Sequence, residues 1–159
     1  MVGDDDPDAA PLVILQEILG TTGRRLSEEI RDRRGLATSV GPDYMVFHDA
    51  GAFALFASTQ PDREAEVIDL LLAEIGRVRN GEVSEEDVVT SQRAVAGRRA
   101  LGEELNASQA NIAAIEVSGV LDSSDEFRAR LAAVTRAEVQ RVAQKYLHPS
   151  NYTLVIVRA

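Results

Sequence analysis

Apolar residues recur along this chain in two rhythms, and the change from one to the other divides it into elements. From Pro11 onward, Leu12, Leu15 and Leu19 share a stripe with Ile14 and Ile18 beside it. That three-to-four spacing predicts a helix; proline suits its first turn and Gly20 is a natural stop. A second short helix is predicted from Arg24 to Arg34, with Leu26 and Ile30 four apart and Gly35 as its cap. Its late arginines favour the negative pole of the helix dipole. From Leu36 the rhythm becomes two. Leu36 to Val40 reads as extended, Gly41-Pro42-Asp43 as an interruption, and Tyr44 to Phe47 as a resumption. After the turn signal Asp49-Ala50-Gly51, Ala52 to Thr59 alternates, with Phe53, Leu55 and Ala57 on one face and Ala54 and Phe56 on the other. Strand, glycine-bearing turn, strand predicts a hairpin.

The remainder returns to helical spacing. Pro61 opens an amphipathic segment carrying Val67, Ile68, Leu71, Leu72, Ile75 and Val78, which Asn80-Gly81 ends. Three hydroxyl-to-acid patterns follow: Ser84 to Asp87, Ser123 to Glu126 and Thr135 to Glu138. In each the hydroxyl accepts from an orphan backbone N–H while the acid reaches back to the cap. Helices are therefore expected to begin near Glu85, Ser124 and Arg136, with a long helical stretch between the first two, broken near Asn106. His148-Pro149-Ser150-Asn151 reads as a turn and Tyr152 to Val157 as a closing, β-branched strand.

Strands, a block of helices and one last strand make an α+β chain: an antiparallel-containing sheet with helices packed on one face. Three strands are few for so many helices, so the sheet is expected to lack its first strands. Its uncovered edge is then a place for self-association or for a strand from a neighbour. The length of 159 residues fits a single domain, 1–159, with a loose acidic N-terminus over residues 1–8.

Charge narrows the partners. The net charge is −9, which repels phosphate backbones and anionic lipid, so neither nucleic acid nor a membrane surface is expected. No apolar run approaches the ~18–20 residues needed to span a bilayer. There is no cysteine, which removes disulfides and thiolate metal sites.

Candidate chemistry is sparse. The two histidines, His48 and His148, stand a hundred positions apart, and neither begins or ends a His-x-x-Glu-His motif. A catalytic zinc takes three protein ligands and an open position, so no metal site and no cofactor are expected in this chain. His48-Asp49 with a distant serine has no support from spacing, and no Gly-x-Ser-x-Gly elbow exists. A carboxylate enzyme built on Asp43, Asp49 and Glu116 has no spacing behind it either. Gly20-Thr21-Thr22-Gly23 lacks the Gly-Lys-Ser/Thr ending of a phosphate loop and follows a helix, not a strand. Arg24, Arg25, Arg31, Arg33 and Arg34 are interleaved with Glu28, Glu29 and Asp32, the pattern of a solvated, salt-bridged helix face. Arg31 alone reads as a last-turn arginine bonding helix carbonyls or Glu28.

An ordered set of segments changes that reading. Ile18-Leu19-Gly20, Arg25-Leu26, the run from Glu29 through Arg31, Gly35, Leu36 and Thr38 to Val40, Asp49 to Phe53, Thr59-Gln60-Pro61 and Lys145 to Tyr152 come in sequence. Together they resemble the C-terminal, non-catalytic domain of insulinase/pitrilysin-type zinc metallopeptidases, the family that includes mitochondrial processing peptidase. The resemblance covers nearly the whole chain from Ala9. It implies half of a two-domain peptidase that closes like a clamshell around unfolded peptide. Zinc would sit only in a partner domain, on the same parent chain or on a partner subunit, held by an inverted His-x-x-Glu-His motif and a distal glutamate. It also implies a substrate-contacting arginine and tyrosine. The arginine position is Arg31. The tyrosine position holds Thr38, which reaches less far than a phenol. The expectation is a substrate-binding lobe that is inactive alone. The alternative is a stand-alone interaction or scaffold domain of the same fold with no role in proteolysis.

Overall fold

The computed structural model describes residues 6–20, 24–46, 50–103 and 125–158. At its centre lies helix α1, Ala9–Leu19, in which every residue but Val13 and Gln16 is buried. Leu12, Ile14, Leu15, Ile18 and Leu19 are fully enclosed, each burial stabilising by about 1.5–3 kcal/mol. A helix apolar on most sides must be surrounded on most sides, and α1 touches strand and helices alike. It starts two residues before Pro11, which falls in the first turn, and closes at Gly20, whose N–H reaches Gln16 O at 2.9 Å.

The second predicted helix departs from α geometry. Arg25 and Leu26 are α-helical, but Ser27–Arg33 forms a π-helix. Leu26 and Ile30 are buried as their spacing predicts. Gly35 adopts φ +61°, a conformation open to glycine at little steric cost. The reversal lets Leu36 N–H donate to Ile30 O at 2.9 Å.

Strands β1, Ala37–Val46, and β2, Gly51–Thr59, form the predicted antiparallel hairpin. Val40 lies opposite Ala57, Pro42 opposite Leu55 and Tyr44 opposite Phe53. Two expectations are corrected here. The interruption at Gly41-Pro42-Asp43 does not occur, since β1 runs through it. Proline is tolerated in a strand at a sheet edge, and β1 pairs only with β2 among the described residues. The closing strand is likewise unpaired: residues 152–158 join no ladder, and the described sheet has two strands. Their composition suits a strand, but a ladder needs a neighbour about 4.8 Å away, and composition does not supply one.

A 3-10 turn, Pro61–Arg63, leads into α2, Glu64–Arg79; α3 is Glu85–Glu103, α4 Asp125–Ala133 and α5 Arg136–Tyr146. Two capping boxes form as expected. Asp87 N–H donates to Ser84 Oγ at 3.0 Å and Ser84 N–H to the Asp87 carboxylate at 2.8 Å. Glu138 N–H donates to Thr135 Oγ1 at 3.3 Å and Thr135 N–H to Glu138 at 2.8 Å. The Ser123 cap and the break near Asn106 lie outside the described residues. The helices share one aliphatic core with the inner face of the hairpin, where Val40, Tyr44, Phe53, Leu55 and Ala57 pack. This is the α+β arrangement, helices on one face of an antiparallel pair.

Polar ties lock the helix ends. Arg79 Nη1 donates to the carbonyls of Ala143, Gln144 and Leu147 at 3.3, 2.8 and 2.7 Å, closing the carboxyl end of α5. Gln92 does the same for Leu131, Ala132 and Val134 at the end of α4. Asp8 corrects the reading of a loose start at that residue. It is buried and receives Arg141, Lys145 and Tyr146, each at 2.7 Å.

Candidate functional site

Arg31 leaves the π-helical segment with its side chain exposed, and it lines a cavity of about 670 Å³. Five stretches of chain converge there. The carboxyl end of α1 supplies Gln16, Glu17 and Gly20; Arg24, Ser27 and Arg31 come from the following turn and π-helix. Val40, Gly41 and Pro42 of β1 and Phe56 of β2 give an apolar side, and Arg98 arrives from α3. Gly20 permits the close approach: a Cβ there would lie 3.0 Å from both Gln16 O and Pro42 Cγ.

Two features mark the spot as constrained. Arg24 adopts φ +49°, the left-handed region that costs a side-chain-bearing residue about 1–2 kcal/mol. Backbone outliers of this kind cluster at functional sites. Beside it, a π-helical stretch is a rare geometry that recurs at such sites.

The electrostatics are organised around shared carboxylates. Asp32 accepts from Arg31 Nε at 2.8 Å and from Arg24 Nη2 at 2.8 Å. Those two hydrogen bonds, Arg31's first, hold the Asp32 carboxyl below its ordinary range, and the same contact raises Arg31. Arg31 thus pairs with its neighbour in sequence, not with the helix carbonyls or Glu28 as first expected. Elsewhere in the lining the nearly buried Glu17 carboxylate is clasped by both Nη atoms of Arg98. The cavity therefore presents guanidinium groups held in fixed orientation over an apolar floor of Val40, Pro42 and half-exposed Phe56. Such groups bind a carbonyl or carboxylate; they do not supply a nucleophile.

The other expected residues sit elsewhere. Thr38, on exposed β1, donates its hydroxyl to Ser58 O at 3.3 Å and is not part of the cavity lining. Tyr44, the phenol nearest in sequence, is buried in the core with its ring 6.0 Å from Phe53. Arg31 and Thr38 are thus not brought together at this cavity. His148 is exposed and pairs through Nδ1 with Ser150 Oγ at 2.9 Å. His48, Asp49 and Glu116 lie outside the described residues, and Asp43 is exposed on β1. Among the described residues, no group of three or more His, Cys, Asp or Glu side chains is placed to hold a metal ion. Nor is any described helix long and apolar enough to cross a membrane. Sequence reasoning missed Gln16, Glu17, Phe56 and Arg98. Only Glu17 left a signal, as an acid set within the apolar run of α1.

Known proteins share this architecture. An inactive peptidase domain from Bordetella parapertussis superposes with a TM-score of 0.79 at 23% identity, over 96% of this chain and 85% of that one. A protease from Helicobacter pylori does so at 0.82 and 19% identity, over 94% of this chain and 37% of that one. In sequence, the chain is similar to an uncharacterized zinc protease of Streptomyces coelicolor, 30% identical over 130 residues, covering 80% of this chain and 28% of the relative. An uncharacterized zinc protease of Mycobacterium tuberculosis is 28% identical over 130 residues, covering 80% of this chain and 30% of the relative. The chain thus spans less than a third of the length of these curated relatives. The peptidase M16 inactive domain matches residues 1–95, the stretch that carries α1, the π-helical segment, the hairpin and Arg31. With the motifs of the sequence in order and the fold in agreement, the chain belongs to the peptidase M16 family as its C-terminal, inactive domain.

Proposed function

We propose that this chain forms the second, non-catalytic wall of a peptide-binding chamber. It closes against a zinc-bearing peptidase domain, carried on the same longer polypeptide or on a partner subunit. The chain positions unfolded peptide and the partner cleaves it. The observation that supports this reading is Arg31: an exposed guanidinium, oriented by Asp32, on a π-helical segment at the edge of a cavity with an apolar floor. A planar guanidinium fork suits a peptide carbonyl or carboxylate, while Phe56, Pro42 and Val40 accept an apolar side chain. Thr38, with its short hydroxyl turned toward Ser58 O, gives a weaker second contact than a phenol would. No bond-breaking step falls to this chain, and zinc belongs to the partner domain.

The test is reconstitution. Hydrolysis of an unfolded fluorogenic peptide is expected only when the zinc-bearing domain and this chain are both present. Chelator-sensitive turnover by the purified chain alone would overturn the reading.

A further inference from the structure

The charges around the Arg31 cavity do not balance. Arg24, Arg31 and Arg98 line it, and Glu17 is the one carboxylate in the lining. Arg98 is taken up by Glu17, which receives both of its Nη atoms. Arg24 and Arg31 share a single carboxylate, that of Asp32. Arg24 Nη2 and Arg31 Nη2 touch the same oxygen, Oδ2, at 2.8 and 3.4 Å, and Arg31 Nε holds Oδ1 at 2.8 Å. Two guanidiniums on one oxygen stand side by side, and one positive charge is left over. Among the described residues, Arg24 Nε and Nη1 and Arg31 Nη1 have no hydrogen-bond partner. This surplus is local, since the chain as a whole carries −9. The backbone is also strained to produce it. Arg24 stands at φ +49°, where glycine sits freely and a residue with a Cβ does not.

We infer that this cavity selects a peptide carboxylate, and that Arg24, beside Arg31, determines the selection. The inference rests on the peptide-binding role proposed above and adds which peptides that wall prefers. A backbone carbonyl is neutral and occurs at every residue, so it neither balances the surplus charge nor distinguishes one peptide from another. A carboxylate does both. Its two oxygens can accept from neighbouring guanidiniums in short, charge-assisted hydrogen bonds. Val40, Pro42 and Phe56 line the same cavity, and apolar surroundings strengthen such a pair by keeping water away. Long-range attraction does not account for the preference, because a chain of −9 repels an anionic peptide. The gain has to come from groups in contact. An acidic side chain and the free carboxyl end of a peptide offer the same chemistry, and the two sources separate in the test.

The test reads the full chain first and the assembly second. Four acetylated peptides, Gly-Ala-Xaa-Leu-Ala with Glu or Gln at Xaa and a free or amidated carboxyl end, are titrated against the full chain. The amide NMR signals of residues 24–42 report binding. The amidated Glu peptide should bind about tenfold more tightly than the amidated Gln peptide, the scale of one charged hydrogen bond. A gain confined to the free-ended peptides assigns the carboxylate to a chain end and supports the inference for that source. Equal affinity of all four overturns it. Arg24→Gly should bring the Glu-to-Gln ratio close to one while the thermal midpoint holds, because glycine suits the backbone there. A ratio that stays tenfold in this variant overturns the role given to Arg24. In the assembly with the zinc-bearing domain, the same Glu-for-Gln change in the fluorogenic peptide should alter kcat/KM by the same factor, through KM. Hydrolysis of both peptides at equal kcat/KM overturns the inference and leaves the chamber reading standing. An assembly that hydrolyses neither, with the binding preference of the full chain intact, sinks the chamber reading and supports the carboxylate site.

Discussion

The Asp8 carboxylate is nearly buried, yet Arg141, Lys145 and Tyr146 converge on it at 2.7 Å each. Burial alone would push its pKa up; the hydrogen bonds from Arg141, Lys145 and Tyr146 outweigh that and hold it far below the usual carboxylate range. Its folded value therefore lies below the unfolded value of about 3.9, and the folded state binds fewer protons. This contribution is complete above about pH 4 and is lost as pH falls through the folded value. Asp8→Asn should cost about 2 kcal/mol at pH 7, less than for a fully buried pair because Arg141 and Lys145 stay half exposed. Urea melts from pH 7 to pH 2.5 check both parts: the variant should be weaker at neutral pH and lose less on acidification. Arg31 should behave in the opposite way. Its partners are solvent-exposed, so Arg31→Ala should leave the thermal midpoint unchanged while lowering kcat/KM of the assembled peptidase roughly tenfold, the scale of one charged hydrogen bond. Arg31→Lys should recover little, because an ammonium lacks the planar fork. Equal activity in the alanine variant would remove Arg31 from the site.

Among the elements, the π-helical segment depends on the reversal that ends it. Gly35 holds φ +61°, with nothing within 4 Å of where a Cβ would stand. Gly35→Ala should therefore cost about 1–2 kcal/mol from the backbone alone, measurable in a urea melt, with no compensating packing. The cap at the end of α5 is a second such point. Arg79→Ala removes the donor that the Gln144 and Leu147 carbonyls share and leaves Ala143 O with Leu147 N–H alone, and should cost roughly 1–3 kcal/mol. These elements differ in how far the sequence revealed them. Helix starts at Ser84 and Thr135 were legible because both halves of each capping box lie within four residues. The apolar stripe of α1 was legible and is buried, but burial extends past it to Ala9, Ala10, Pro11 and Glu17, because elements pack on most sides of the helix. The π geometry was not, since the four-residue spacing of Leu26 and Ile30 suits either winding. Pro42 was misread because its cost depends on which strand edge it occupies, a fact of pairing and not of local sequence. Tyr152 to Val157 failed for the converse reason: a strand pattern names a candidate, while the ladder needs a neighbour. The site was legible only at Arg31, through ordered motifs. Glu17 and Arg98, 81 positions apart, meet only because α1 packs against α3.

At the scale of the whole molecule, the fully enclosed core is concentrated on α1. Five fully enclosed aliphatic side chains on one eleven-residue helix hold the hairpin, α3, α4 and α5 together. Removing one of them should be felt everywhere: Leu15→Ala should cost about 2–5 kcal/mol and shift one cooperative transition without splitting it. The terminal segment stands at the other extreme. Residues 152–158 are exposed, join no ladder and are anchored through Arg158. Local opening free energies range from near zero in such segments to the global value in a core helix. Native-state hydrogen exchange of the isolated chain should thus find α1 amides exchanging only through global unfolding, and amides 152–158 exchanging close to the unprotected rate. Protection of the terminal segment comparable to α1, in a monomer, would mean that it is already paired. The functional consequence follows from the contrast. A lobe built around so enclosed a helix keeps the segment bearing Arg31 in place through Leu26 and Ile30, while its terminal residues open independently.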